Sequence, residues 1–321
     1  PARVYPEPIR HWPFGPRAGV AIADFTGAYG ENSPRNQLAR QLDRAGAMGF
    51  EVTAAFEYEF FVFEETAHSV REKDYRDLKN LTPGNFGYSI LRSSTESELY
   101  HEFMDYCEGM DTTIEGLHCE TGPGVWEAAL TVDDALRAAD KAALFKTFSK
   151  AFFNKRGLVA TFMAKWRADK VGSAAHIHQS LFKGGSNVFH DAEAAHGMSA
   201  TMRSYVAGLL KYAPEVTLLL APYVNSYKRF VPGTFAPTKS AWSVDNRTAG
   251  FRLVGEDTKG VRIECRIPGS DMNPYLACAA QLAAGLAGIE EGLDLPDPVS
   301  GDVYAMTDVP DVPASLRAAT E

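Results

Sequence analysis

The segment AFEYEFFVF, from Ala55 to Phe63, constrains this chain more than any other stretch. Its aromatic and β-branched residues favour a strand, in which side chains alternate between faces and residues two apart share one. Phe56, Tyr58, Phe60 and Val62 then make a packed face, and Glu57 and Glu59 point together to the other side. Two carboxylates side by side repel each other. Either that face is solvated or a cation is held between them, and the rest of the chain has to decide.

Three further segments carry the same kind of residue. HCETGPGVWEAAL sets Glu120 and Glu127 on either side of a Gly-Pro-Gly turn, GSAAHIHQSL puts His176 and His178 on one strand face, and VRIECRIP aligns Arg262, Glu264 and Arg266. A lone strand histidine is more often an ordinary core or surface residue. Here four separate strands bring an acid or an imidazole into apolar surroundings, and burying so many carboxylates unpaired is costly. Ligands that are mostly oxygen with one imidazole favour Mg²⁺ or Mn²⁺ over Zn²⁺.

Basic residues cluster as well. Lys228, Arg229, Arg247, Arg252, Lys259, Arg262 and Arg266 lie among Gly, Pro and aromatic residues rather than along a charged helix. A solvated basic face is one reading. The other is recognition of carboxylate and phosphate, to which the arginine fork is suited. Metal with several arginines is the equipment of phosphoryl transfer, although no G-x-x-x-x-G-K-[ST] loop is present.

The remaining pattern gives a frame. A chain of 321 residues with 45% hydrophobic content can bury a substantial core. The net charge of −9 argues against a nucleic-acid partner, and no apolar run is long enough to span a bilayer. Four scattered cysteines without C-x-x-C spacing fit a reducing cytoplasm. Strands are expected at 18–25, 51–63, on both sides of the Gly-Pro-Gly turn, at 158–166 and at 174–182. Helices are expected from Ser33 to about Gly49, over 96–110, from Asp133 or Asp134 to about Gly157, from Met198 to Tyr212, and from the Asn273 cap and Pro274 onward. Residues 64–95 read as a polar, partly irregular insertion. The pattern predicts an α+β fold, an antiparallel sheet with helices on one side.

EYEF, ETGPGVWE, GSAAHIHQSL, NSYKRFVPG, DNRTAGFR and RIECRIPGSDMNPYLA occur in an order that resembles the catalytic domain of the glutamine synthetase family, over roughly residues 33 to 292. The resemblance implies a curved antiparallel sheet forming half of an open barrel, divalent ions at its waist, and ATP-dependent ligation of L-glutamate to an amine through a γ-glutamyl phosphate. It implies one ion on Glu59, Glu120 and Glu127 and another on Glu57, His176 and Glu264. It implies that Arg229, Arg247 and Arg266 hold glutamate and the transferring phosphoryl group, with backbone contact from Gly172 and His118 near the glutamate. Glu115, His178, Ser180, Arg252, Lys259 and Arg262 would line the ATP side. Residues 1–32 resemble the tail of the family's N-terminal β-grasp domain, and 33–321 its catalytic domain with the C-terminal part cut short. The family's complete members form stacked rings, so a homo-oligomer, a dodecamer by resemblance, is expected.

The sequence departs from the family at one informative point. Ammonia-using members carry a glutamate in the loop after the Pro-Gly of NSYKR-x-x-PG, where this chain has Phe235 in PGTFAP. An aromatic ring neither deprotonates nor pairs with ammonium, but it packs against an organic substituent. Val171 replaces the asparagine that usually precedes Gly172, and Trp242 lies near the active-site arginines in sequence. The chain therefore resembles the γ-glutamylanilide and γ-glutamylalkylamide synthetase branch. An aromatic amine is neutral at pH 7 and needs no carboxylate to take its proton. Ordinary glutamine synthetase, a polyamine ligase and a non-catalytic relative are the alternatives.

Overall fold

The computed structural model describes residues 2–321. Pro1, the first residue of the expected N-terminal tail, lies outside them. β1 (Ala2–His11) and β2 (Gly19–Phe25) form an antiparallel hairpin. β1 escapes a sequence reading because its prolines donate no ladder hydrogen bond, and the pairing lapses between Tyr5 and Arg10. α1 (Ala28–Glu31) and α2 (Pro34–Ala47) follow. Ser33 stands at the expected N-cap, but its hydroxyl turns away to Asp24 Oδ1, at 2.5 Å.

β3 (Glu51–Phe63) is the axis of the molecule. After it come α3 (Ala67–Glu72) and α4 (Ile90–Thr95) inside the expected irregular insertion, then α5 (Ser97–Gly109). β4 (Ile114–Cys119), β5 (Val125–Leu130) and β6 (Asp133–Asp134) lead into α6 (Ala135–Asn154). β7 (Val159–Thr161), β8 (Ala175–Lys183) and β9 (Ser186–Asn187) precede α7 (Ala200–Leu220). β10 (Trp242–Val244), β11 (Phe251–Val254), β12 (Arg262–Cys265) and α8 (Pro274–Glu290) complete the regular elements.

Ten strands make one sheet in the order β10-β11-β12-β8-β3-β5-β4, with β6 and β7 on β3 and β9 on β8. The alternation read from the sequence holds. Phe56, Tyr58, Phe60 and Val62 are fully buried, with Tyr58 stacked on Phe145 of α6 at 5.8 Å and Phe60 edge-on to Phe103 of α5 at 6.1 Å. α6 lies on β3, and α7 and α8 pack backbone to backbone. A Cβ on Gly208 would sit 2.2 Å from the Ala284 carbonyl oxygen, so only glycine permits that approach.

Three expectations need correction. The sheet is mixed, because β10 and β11 pair in parallel. Asp245 takes a left-handed backbone (φ 45°) and the Asn246–Ala249 turn brings the chain back in the same direction, which no hairpin signal in the sequence announces. α7 runs on to Leu220 instead of stopping at Tyr212, with Pro214 inside it. Proline cannot donate to the Leu210 carbonyl, and Ser240 Oγ donates to it instead at 3.1 Å, which removes much of the usual penalty. Of the strand expected over 158–166 only β7 forms, since Phe162 leaves the sheet to stack on Phe60 at 5.2 Å. All four cysteines are buried and free. Among the described residues no helix is long and apolar enough to cross a membrane.

Candidate active site

The sheet face opposite the helices brings the polar residues of five strands together by register. Glu57 lies opposite His176, Glu59 opposite Glu127, Glu127 opposite His118, and Glu264 opposite His178. Each strand alone shows an E-x-E or H-x-H pattern, and the ladder lines those patterns up. A cleft of about 420 Å³ opens over them, lined also by Tyr88, Gly172, Phe235, Arg247, Arg252 and Arg266. A second cavity of about 330 Å³ shares Glu57 and is lined by Glu115, His178, Ser180, Lys259 and Arg262.

Two trios place a ligand atom of each member within 4.8 Å of the others: Glu57 with His176 and Glu264, and His118 with Glu120 and Glu127. The first trio is the set expected from the resemblance. In the second, His118 occupies the place expected of Glu59, whose Oε2 accepts the Ala174 N–H at 2.7 Å. His176 Nδ1 lies 3.3 Å from both Glu57 and Glu264, and His118 Nε2 lies 3.4 Å from Glu127.

The electrostatics fit a divalent cation. Burial, reinforced by Glu59, Glu57 and Glu120, holds the Glu127 carboxyl well above the usual carboxylate range, a penalty that a nearby cation reverses. Glu264 is fully buried. Burial alone would raise its carboxyl, but His176, Arg266, His178 and Arg252 outweigh it and hold it at about 2. Glu57 is likewise drawn below the usual range, its burial outweighed by hydrogen bonds from His176 and His178. The His118 Nε2 atom is buried and makes no hydrogen bond of good geometry although Glu127 lies 3.4 Å away, which leaves it free to ligate.

The arginines divide into two kinds. Arg247 and Arg266 face the cleft, and Arg266 pairs with Glu264 from behind. Arg252 belongs to this cleft and not to the second cavity, anchored by Glu264 (3.0 Å) and Asp245. Arg229 does not line either cavity. It is buried behind Gly172, donates to the Ile267 carbonyl, and is brought down to about 10 by burial against the pull of Glu59 and Asp271. A Cβ on Gly172 would meet Arg229 Cγ at 2.4 Å, so the glycine is what lets the arginine approach.

Phe235 lines the cleft mouth half-exposed, with a left-handed backbone (φ 56°). Trp242, expected in the substrate site from its nearness in sequence to the arginines, is buried in the core, where its indole N–H donates to the Pro296 carbonyl at 2.8 Å. Nearness in sequence misled because β10 carries the indole beneath the sheet, away from the loop that holds Arg247.

One cleft residue lay hidden in the polar insertion. Tyr88 stacks on His118 with ring centroids 4.8 Å apart, donates its hydroxyl to Glu120 and accepts from Arg247 Nη1 at 3.0 Å. Burial and the Glu120 carboxylate push its phenol up to about 12, so it remains a donor. Tyr88 sits in the uncharged run NLTPGNFGYSIL of that insertion, which also holds Tyr75, so its residue type alone did not single it out. Thr121 and Val171 also line the cleft.

The model of the glutamine synthetase catalytic domain matches residues 31–321. The chain is 40% identical to gamma-glutamylethanolamide synthetase GlnA4 of Streptomyces coelicolor, over 99% of this chain and 69% of that protein. It is 34% identical to the glutamate–isopropylamine ligase of a Pseudomonas species, over 96% of this chain and 68% of that protein. Proteins named as glutamine synthetases match at 34–39% identity. A solved GmaS/ADP complex superposes with a TM-score of 0.88 at 29% identity, covering 99% of this chain and 74% of that one. The chain thus spans 59–74% of the length of these proteins. With six ordered motifs and the paired carboxylate and imidazole strands in register, it belongs to the glutamine synthetase family of glutamate–amine ligases.

Proposed function

We propose that this protein joins the γ-carboxylate of L-glutamate to a small organic amine at the expense of ATP. The observation that carries the organic amine is Phe235, an aromatic ring at the cleft mouth where the family resemblance expects a glutamate. In the first step a γ-carboxylate oxygen bonds to the terminal phosphorus of ATP as the bond to the ADP oxygen breaks. In the second the amine nitrogen bonds to the acyl carbon, phosphate leaves with the bonding electrons, and the nitrogen sheds a proton. The trios Glu57–His176–Glu264 and His118–Glu120–Glu127 would hold divalent cations, which when bound neutralise phosphate charge. Arg247 and Arg266 would orient the anionic groups, and Arg229 would brace the backbone at Gly172 from behind. Glu115, His178, Ser180, Lys259 and Arg262, around the second cavity, would face the nucleotide. Phe235 would exclude water from the acyl phosphate and pack on the carbon skeleton of the amine.

The test is phosphate release by the full chain with ATP, Mg²⁺ and glutamate, comparing ammonium, putrescine, isopropylamine, ethanolamine and aniline. Turnover with ethanolamine, isopropylamine or aniline well above that with ammonium is expected. Best turnover with ammonium would overturn the proposal in favour of ordinary glutamine synthetase. Assembly into a homo-oligomeric ring and a β-grasp origin for the β1–β2 hairpin belong to the same proposal and rest on the family resemblance.

A further inference from the structure

The turn that presents Tyr88 is fastened in part by Gly87 and Cys119, neither of which lines the cleft. Tyr88 has a left-handed backbone (φ 59°), which a bulky side chain adopts only where its surroundings enforce it. Its N–H donates to the Cys119 carbonyl at 2.8 Å, and the Ser89 N–H closes the turn on the Phe86 carbonyl at 3.1 Å. The buried Cys119 thiol donates to that same Phe86 carbonyl at 3.1 Å. Gly87 lies flat on the chain beyond β4. A Cβ there would stand 2.9 Å from Thr121 Oγ1 and 3.2 Å from the Thr121 nitrogen. Alternation explains the arrangement: His118 and Glu120 face the cleft, and Cys119 between them faces the turn.

We propose that Gly87 and Cys119 form a positioning clamp. It holds the Tyr88 ring against His118 and its hydroxyl between Glu120 and Arg247, and so fixes the wall that the cleft shares with Phe235. The clamp therefore tunes affinity for the amine while taking no part in the bond-making steps. The proposal rests on the ligase reading only for the identity of the substrate.

Three variants test it. Cys119→Val removes the thiol donor at similar volume, Cys119→Ser keeps a donor, and Gly87→Ala pushes the turn off Thr121. Kinetics are measured with whichever amine turns over best, ammonium included, alongside hydrogen exchange of residues 86–89 and the melting temperature. Cys119→Val and Gly87→Ala should raise the amine KM about tenfold and speed exchange at the Tyr88 amide, with a smaller fall in kcat passed on through Glu120 and Arg247 and the KM for ATP held within about twofold. Cys119→Ser should stay close to the parent. An unchanged amine KM, or a parallel loss in every constant together with the melting temperature, overturns the clamp. If no amine turns over at all, the ligase reading fails by itself and exchange decides. Faster exchange in the two disruptive variants and not in Cys119→Ser supports the clamp, and any other pattern overturns it.

Discussion

The strand-borne floor of the cleft and its loop-borne wall hold their residues in opposite ways. On the floor, Glu57, Glu59, Glu127, His176 and Glu264 are fixed by ladder register, so each has a cross-strand neighbour that the sheet itself supplies. On the wall, Tyr88 and Phe235 come from segments outside the sheet and both sit in the left-handed region, where a turn rather than a ladder sets their direction. Register leaves little room for adjustment, because a slip of one residue turns every side chain to the other face. A loop can change one residue and leave the rest standing. Under the proposed function, the floor would carry the shared chemistry and the wall the choice of amine.

The sharpest way to break this division is to remove a floor carboxylate. Glu264 is fully buried and touches Arg252, Arg266 and His176. Glu264→Ala leaves the Arg252 and Arg266 guanidinium groups without their counter-charge, which should cost about 3–5 kcal/mol of stability. Phosphate release should fall on the order of a thousandfold for every amine alike. Urea unfolding and the amine panel check both parts. A loss confined to one amine would mean that floor and wall are not separate.

Cation binding gives the next effect. Mg²⁺ at about a hundredfold excess over its dissociation constant should add about 2.7 kcal/mol, a rise of several degrees in melting temperature. The pH dependence has two signs. Glu120 and Glu264 are held at about 2, so their contribution is fully present above the unfolded value of about 4.3 and is lost as pH falls toward 2. Glu127 is raised, so its contribution is present at low pH and is lost as pH climbs through its folded value. Mg²⁺ should offset that loss, and the Mg²⁺-induced shift should therefore grow from pH 5 to pH 8. A shift that is flat with pH, or absent with both Mg²⁺ and Mn²⁺, contradicts the cation reading of the floor.

How much of this was legible follows the same division. Period-two alternation in β3 and β8 and the Gly-Pro-Gly turn placed the carboxylates and imidazoles on one face, because a strand's geometry is local and repeats. Partner assignment was less legible. The second trio sets His118 beside Glu120 and Glu127, while Glu59, the expected third member, lines the same cleft opposite Glu127 with one oxygen on the Ala174 amide, since which atoms converge depends on rotamers and not on spacing. Tyr88 was invisible because its left-handed turn is imposed by Cys119 and Thr121, more than thirty positions away in the chain. α7 looked shorter than it is because Ser240, remote in sequence, satisfies the carbonyl that Pro214 leaves free.

The wall is probed by Phe235→Glu. The glutamate inherits the same backbone, so stability should change little. It gives the cleft mouth a charge that favours ammonium over a bulkier amine. The ratio of kcat/KM for ammonium to that for the best organic amine should rise about tenfold, or 1.4 kcal/mol. The Mg²⁺-induced rise in melting temperature should be retained. An unchanged ratio would show that Phe235 does not select the amine and would return the selector to the Tyr88 side.

The smallest effect separates sequence proximity from spatial proximity. Trp242 stands five positions before Arg247, yet it is buried with its indole N–H on the Pro296 carbonyl at 2.8 Å. Trp242→Phe deletes that hydrogen bond, and because Pro296 is exposed its carbonyl turns to water, at a net cost of about 0.5–1.5 kcal/mol. The lost volume adds to it, but β10 remains paired to β11 through backbone groups. The melting temperature should therefore drop by a few degrees while the amine preference and the KM for glutamate stay as they were. A changed amine preference at unchanged melting temperature would place the indole's influence in the cleft after all. It would also mean that the wall extends beneath the sheet, where the floor's strands, and not the loops, would be choosing the substrate.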